Sequence, residues 1–349
     1  MTVSPIKTAV VGYGFSAKTF HIPFITNLTE FALVAISSSQ KETVLHDWPT
    51  ATHYSSAQEL LLQSDAELVI ITAPNEVHFV LAHQALENNK HVILEKPFVT
   101  TVADGETLIA LAAKKQRLLS VFHNRRYDGD FLTVQKLINQ QRLGDVKHFE
   151  SHFDRFRPQV RQRWREQASN GGGILFDLGP HLLDQALQLF GIPDAITAQC
   201  QIMRNGATTV DYFHLVLHYP NMLATLHGDM LSAGPNKRFS IHGSKGSYQK
   251  QGLDPQETRL IAGVLPTRDN WADESIEQYG HFYQADSDVP ITTERGGYQQ
   301  YFRAMASAIR QDTPCPVTAE QALWNIKLIE LAMQSSRSGQ TIRVEKIIR

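Results

Sequence analysis

Three short runs in this 349-residue chain carry side chains of the kinds that move protons and hold polar ligands. Glu95-Lys96-Pro97 puts an ammonium between a carboxylate and a rigid proline. Asp177-Leu178-Gly179-Pro180-His181 sets a carboxylate four residues before an imidazole. Gly12-Tyr13-Gly14-Phe15-Ser16-Ala17 is a glycine turn whose backbone N–H groups can approach a phosphate,. The set suits a reaction in which a dinucleotide exchanges a hydride while the protein handles a proton. Lys96 would polarise or hold an oxygen, His181 would shuttle a proton near neutral pH, and Asp177 would orient the imidazole or a substrate hydroxyl. Lys96, Asp177 and His181 are the candidate catalytic residues.

Such groups act only if the surrounding elements carry them to the right edge of a fold. Ile6–Val11 is a continuous apolar run, the signature of a strand buried on both faces in a parallel sheet. The glycine turn follows it and opens a helical stretch ending near Leu28, broken around Pro23. Phe31–Ser37, Leu68–Thr72, His91–Leu94 and Leu118–Phe122 read as further strands. Ala57–Leu62, His78–Asn88 and Ala103–Lys115 read as the helices between them. This alternation makes right-handed crossovers and a doubly wound α/β domain over residues 1–123. Beyond His123 the pattern changes. A helix at Asp130–Gln140 precedes runs with two-residue alternation at Lys147–Arg157, Phe213–Tyr219, Leu223–Met230 and Arg238–Gly243, expected to pair antiparallel with one face covered. Gly171-Gly172-Gly173 leads into the His181 helix, which runs to about Phe190. Amphipathic helices at Tyr298–Arg310 and Ala319–Ser336 close a second α/β domain over 124–349, in which 254–297 show no clear pattern. Two domains also match the length, since one core usually serves ~100–200 residues.

Within the first domain, Gly12, Gly14, Phe15, Ser16 and Ala17 are assigned to the cofactor's pyrophosphate. The turn follows a strand and opens a helix, and Ala17 still allows close helix–strand packing. The second strand ends in Ser37-Ser38-Ser39-Gln40-Lys41, with no carboxylate before Glu42. An acidic residue there would bond bare ribose hydroxyls, so contacts from Ser37, Ser38 and Lys41 favour NADP while leaving NAD open. Thr72 and Asn75 leave the carboxyl edge of a buried strand and are further cofactor contacts. His78 either touches the nicotinamide ribose or opens the next helix. Glu95, Lys96 and Asn124 complete the cofactor set. A donor-rich group suits a polyhydroxylated substrate: His123, Arg125, Tyr127, Asp154, Arg157, Trp164 and Tyr298, with Lys96, Asp177 and His181. Asp184 reads as structural, and His21, His83, His148 and His214 have no partner visible in the sequence.

Composition narrows the rest. A net charge of −2 gives no reason to expect nucleic acid or an anionic membrane as partner,. The apolar stretch Glu67–Ala73 is far too short to span a bilayer. Two cysteines, far apart, exclude a disulfide framework and point to a reducing, cytoplasmic compartment; the N-terminus shows no targeting segment,. No His/Cys/Asp cluster has metal-ligand spacing, so no metal is expected.

These residues together resemble the Gfo/Idh/MocA oxidoreductase family. The motifs are the Gly12–Ala17 turn, Glu95-Lys96-Pro97, and Gly173 through Asp184 read as G-x-x-x-D-x-G-x-H-x-x-D. Lys18-Thr19-Phe20-His21, Val121 through Arg126, Asp154-Arg155-Phe156-Arg157-Pro158 and Asp211-Tyr212-Phe213-His214 are similar to a narrower branch that includes NADP-dependent scyllo-inositol dehydrogenases. Ala17 and Pro180 depart from the commonest letters. The resemblance implies an N-terminal Rossmann domain and a C-terminal α/β domain with a large, mostly antiparallel open sheet, which often mediates homodimers or homotetramers. It also implies that Lys96, Asp177 and His181 form the catalytic group, acting on a secondary alcohol or ketone of a cyclitol or sugar. Another sugar, a dihydrodiol, or a non-catalytic dinucleotide-binding regulator are the alternatives.

Overall fold

The computed structural model describes residues 4–161, 166 and 171–346. Trp164 lies outside the described residues. The chain divides into two compact units, both discontinuous: 1–124 with 256–272 and 297–323, and 125–255 with 273–296 and 324–349.

The first unit is built on a six-stranded parallel sheet. Its strands are β1 (Ile6–Val11), β2 (Phe31–Ser37), β3 (Thr52–Tyr54), β4 (Leu68–Ile71), β5 (His91–Leu94) and β6 (Leu119–Val121). The order is β3-β2-β1-β4-β5-β6, and every pairing is parallel. The order reverses between β1 and β4, the crevice where doubly wound sheets bind ligands. All four side chains of β4 are fully buried, which explains why the strand reads as an unbroken apolar run. Helices α1 (Ile22–Ile25), α2 (Lys41–Asp47), α3 (Ala57–Gln63), α4 (His78–Glu87) and α5 (Val102–Lys115) make the crossovers. The helical stretch after β1 is broken as expected. A π-helical turn at Ala17–His21 gives way to α1, with Pro23 in its first turn. β3 escapes sequence reading because it has three residues, none of them buried.

The later segments 256–272 and 297–323 complete this unit's core. Phe302, from a helix at Gln299–Gln311, stacks on Phe24 at 5.0 Å and meets the His21 ring at 5.9 Å. Trp271 packs edge-on against Phe24 and Tyr298.

The second unit carries a nine-stranded mixed sheet. Its strands are β7 (Val146–His152), β8 (Ala195–Gln201), β9 (Tyr212–Tyr219), β10 (Met222–Asp229), β11 (Lys237–Gly243), β12 (Gly246–Gln251), β13 (Gly280–Gln284), β14 (Ser287–Ile291) and β15 (Ile342–Arg343). The order is β14-β13-β12-β11-β7-β10-β9-β8-β15. All neighbours are antiparallel except β7 and β10, which run parallel. The simple meander expected from two-residue alternation is therefore interrupted at its centre.

One face of this sheet is covered. Phe149, Phe213, Leu215, Leu217, Leu226 and Ile241 are buried with Phe131, Val134, Leu182, Leu183, Leu328 and Ile329 from three helices, α6 (Gly129–Asn139), α8 (Gly179–Phe190) and the C-terminal helix Ala319–Ser338. The alternate residues, among them His148, Glu150, His152, His214 and His227, occupy the other face and are half-buried. β12 hides its pattern because a buried position holds Lys250, whose ammonium pairs with Glu274 at 2.8 Å. A charged residue at a core position erases the apolar alternation that marks a strand.

Candidate active site

The carboxyl ends of β1 and β4 meet at the crevice. Gly12 leaves β1 with φ +96°, and a Cβ added there would stand 2.8 Å from Thr72 Oγ1 and 3.2 Å from the Thr72 carbonyl oxygen. The Thr72 hydroxyl donates to the carbonyls of Val11 at 3.0 Å and Gly12 at 3.3 Å. The Gly12 N–H donates to the Ser37 carbonyl at 3.0 Å. The three strand ends β1, β2 and β4 are thereby laced around one glycine. Gly14 has nothing within 4 Å of where a Cβ would stand. The turn thus offers open space at the start of a helical stretch, a cradle that fits a dinucleotide's pyrophosphate. Phe15 is exposed, Ser37 and Asn75 are buried, and Lys41 is exposed at the start of α2. The Ser38 hydroxyl accepts from the Gln40 N–H at 3.0 Å.

Exchanging Gly12 for alanine tests this cradle. The positive φ strains an L-residue and the added methyl meets Thr72, so Gly12→Ala should cost about 1–3 kcal/mol of stability. It should also weaken dinucleotide binding in a calorimetric titration. Unchanged binding and melting would remove the turn from the site.

Glu95 ties the glycine turn to the end of β5. Its carboxylate accepts from the Ser16 hydroxyl, bonds His21 Nε2 at 2.8 Å, and accepts from the Lys96 N–H at 3.1 Å. Burial alone would raise this carboxyl. The bond and charge of His21, the Ser16 hydroxyl and the Lys96 charge outweigh it and hold the group down to about 2. Glu95 is a brace between two loops, and His21, to which the sequence gives no partner, is the other half of that brace.

His78 opens α4 with no exposed surface, its Nδ1 2.9 Å from the Pro97 carbonyl and its Nε2 3.0 Å from the Ala73 carbonyl. Burial pushes its pKa down, although both carbonyls pull the other way. Of the two roles open in the sequence, the structure gives His78 the helix-opening one. It positions the backbone next to Lys96, and a ribose contact is not available to a ring enclosed in this way. Tyr298, expected from the sequence to contact substrate, is a core residue without exposed surface, packed on Trp271. His123 and Asn124 are buried at the end of β6, and Lys96 is half-buried.

In the second unit, Asp177 ends a one-turn helix, α7 (Ile174–Asp177), and Leu178 leads directly into α8. Asp177 and His181 therefore do not share one continuous helix. Gly173 begins α7 at φ +85°, where a Cβ would lie 2.7 Å from the Val210 carbonyl. The Asp177 carboxylate lies 3.7 Å from Arg155 Nη1. His181 is 6% exposed, its ring stacked at 6.4 Å from Phe153.

α8 is anchored below His181 by buried polar bonds. Asp184 takes two bonds from Arg126, both at 2.7 Å, which is the structural role its position suggests. The Gln185 side chain donates to the Arg125 carbonyl and accepts from Arg238. Arg125 itself pairs with Asp128 at 3.2 Å and lies over the Phe153 ring. Arg125 thus faces protein groups, where the sequence suggested a substrate hydroxyl. Arg157 is half-buried and bonds the Met230 carbonyl through its N–H, and Tyr127 is half-buried at the end of the Asn124–Tyr127 turn.

Asp154 is turned toward two imidazoles, His152 and His227. Sequence spacing gives no metal pattern here. The parallel register that sets His227 opposite His152 brings the three side chains together from distant parts of the chain.

Comparison with known proteins agrees with this geometry. Residues 6–123 match the oxidoreductase-family NAD-binding Rossmann fold, and residues 135–344 match the same family's C-terminal alpha/beta domain. The chain belongs to the Gfo/Idh/MocA oxidoreductase family. It is 45% identical over 339 residues to the uncharacterized oxidoreductase YdgJ of Escherichia coli strain K12, covering 97% of this chain and 98% of that one. It is 40% identical over 347 residues to the scyllo-inositol 2-dehydrogenase (NADP(+)) IolW of Bacillus subtilis strain 168, covering 98% and 97%. The solved structure of yvaA from Bacillus subtilis superposes with a TM-score of 0.95 at 40% identity, over 99% of this chain and all of that one. The chain is thus an oxidoreductase with a Rossmann-type dinucleotide domain. Among the described residues no helix is long and apolar enough to cross a membrane.

Proposed function

We propose that the protein interconverts a secondary alcohol and a ketone on a cyclitol, with scyllo-inositol and its inosose as the first candidates and NADP as the favoured cofactor. The observation that carries this reading is the near-full-length likeness to a relative named as an NADP-dependent scyllo-inositol 2-dehydrogenase, joined to the presence of Lys96, Asp177 and His181. Thr72 and the Gly12–Ala17 turn would hold the cofactor's phosphates, and Ser37, Ser38 and Lys41 its adenosine ribose. When bound, the nicotinamide ring supplies or accepts the hydride.

The side chains manage the oxygen and its proton. In the oxidative direction His181 takes the hydroxyl proton, and in the reductive direction it returns one. The Lys96 ammonium donates to the same oxygen and stabilises the negative charge that develops there. Asp177 orients His181 or a neighbouring hydroxyl, with Arg155 beside it setting the carboxylate's direction. His123, Tyr127, Arg157 and Trp164 are proposed to bind the remaining hydroxyls. Ser38, Ser39 and Lys41, with no carboxylate among them, support the NADP preference,.

The test is an absorbance screen at the reduced nicotinamide band, with inositol isomers and common sugars against each cofactor. Turnover of an inositol, with higher kcat/KM for NADP than for NAD, is the expected result. A strong preference for NAD would defeat the cofactor assignment. Dinucleotide binding without turnover on any polyol would replace the enzyme reading with that of a regulator.

A further inference from the structure

The open face of the nine-stranded sheet carries a side-chain constellation that the proposed reaction does not use. His152 ends β7, Asp154 follows two residues later, and His227 lies on β10, directly opposite His152 in the parallel register. His214 on β9 is the antiparallel neighbour of His227. Paired residues on adjacent strands project from the same face of a sheet. Three imidazoles therefore stand in a row on three consecutive strands. The ring of His227 lies 5.1 Å from that of His152 and 5.6 Å from that of His214.

The Asp154 carboxylate lies between two of these imidazoles. His152 Nδ1 lies 3.2 Å from Asp154 Oδ2, and His227 Nε2 lies 3.6 Å from Asp154 Oδ1. The second separation is too long for a hydrogen bond. Among the described residues, Asp154 Oδ1, the carboxylate oxygen nearer His227, is buried and takes no hydrogen bond. Buried polar atoms left this way are uncommon, and a bound ion is one of the recognised reasons.

We infer that His152, Asp154 and His227 form a binding site for a divalent transition-metal ion of the zinc class, on the sheet face away from the α8 helix. Ligand bonds of about 2.0–2.2 Å at tetrahedral angles place neighbouring donor atoms roughly 3.3–3.6 Å apart. The His152 Nδ1–Asp154 Oδ2 separation of 3.2 Å is close to such an edge, and His227 Nε2 approaches the other oxygen of the same carboxylate at 3.6 Å. One donor atom from each residue lies within 4.8 Å of the others. Two imidazoles and one carboxylate favour zinc, cobalt or nickel over calcium or magnesium, whose preferred donors are all oxygen. Two further carboxylates flank the cluster: Glu150 Oε2 lies 3.6 Å from His152 Nε2, and Asp229 Oδ2 lies 3.6 Å from His227 Nε2. An ion held here would fasten the end of β7 and the segment after it to β10.

The test uses the full chain, stripped with chelator and dialysed, then titrated with Co(II) and with Zn(II). One ion per chain should bind, with the intense visible ligand-field bands of four-coordinate cobalt. Co(II) X-ray absorption on the unaltered protein should show scattering from two imidazoles. His227→Gln and Asp154→Asn should each weaken Zn(II) by more than about 100-fold, beyond the loss typical of changes outside the ligand sphere. His46→Gln, at an exposed histidine, should leave it unchanged. Weak, non-stoichiometric binding, or a cobalt shell of water oxygens alone, would overturn the site even if a variant failed to fold. So would full affinity in both folded ligand variants.

Discussion

Lys96→Ala and His181→Ala each lower turnover by roughly 10²–10⁴-fold, the range expected when a residue takes part in acid–base transfer at the reacting oxygen. The two variants should differ in character. His181→Ala removes the proton carrier, so the pH dependence of kcat/KM near neutrality should flatten along with the loss of rate. Lys96→Ala removes a positive charge that stabilises developing alkoxide, so kcat should fall without an equal rise in KM. Lys96→Arg keeps the charge but changes its geometry, and should recover little. Each measurement needs a melting curve beside it, because His181 is buried against Phe153. Near-normal turnover in both alanine variants would remove these residues from the mechanism. A loss of rate that follows unfolding would assign them to the fold.

Acid weakens the first unit through Glu95. Its carboxyl sits at about 2 when folded, against an ordinary value of 4.5, so the unfolded chain binds the proton more readily. A folded value depressed in this way gives stability that is fully present above the ordinary carboxylate range. That stability is lost as pH falls from about 4.5 toward 2. A shift of this size corresponds to about 3 kcal/mol. Urea unfolding across that window should therefore show a falling unfolding free energy, and Glu95→Gln should flatten the fall. Glu95→Ala should be destabilising at neutral pH by about 3–5 kcal/mol, because it leaves His21 and Ser16 without their buried acceptor. An acid profile in Glu95→Gln identical to that of the unaltered protein would show that this carboxylate is not held low. Loosening the Ser16 end of the brace should also weaken dinucleotide binding.

The first sheet could be read closely because its strands are buried on both faces and need continuous apolar runs. β1, β2 and β5 fall on the expected boundaries, and β4 and β6 within a residue or two,. The second sheet was harder. Its central strands β9, β10 and β11 show alternation, but the polar β12 and the β13–β14 hairpin conceal theirs under Lys250, Gln249 and short exposed turns. Candidate site residues divided similarly. The places of the Gly12 turn, Thr72 and Lys96 at strand ends were legible because they follow recognisable strands. The buried roles of His78 and Tyr298, and the pairing of Arg125 with Asp128, were not. A donor facing a pocket and one facing a backbone carbonyl have the same letter in the sequence.

Local chemistry needs only neighbours in the chain, and that much the amino-acid order determined: two patterns of secondary structure, a glycine turn at a strand's end, a lysine before proline, and a histidine just inside a helix. Partnerships between distant residues required the fold. His21 meets Glu95 because the helical stretch after β1 packs beside the end of β5. His152 meets His227 because β7 and β10 pair in parallel. Strand order and register are set by the burial of many side chains at once, so the contacts they create between polar groups are decided by packing far from the groups themselves.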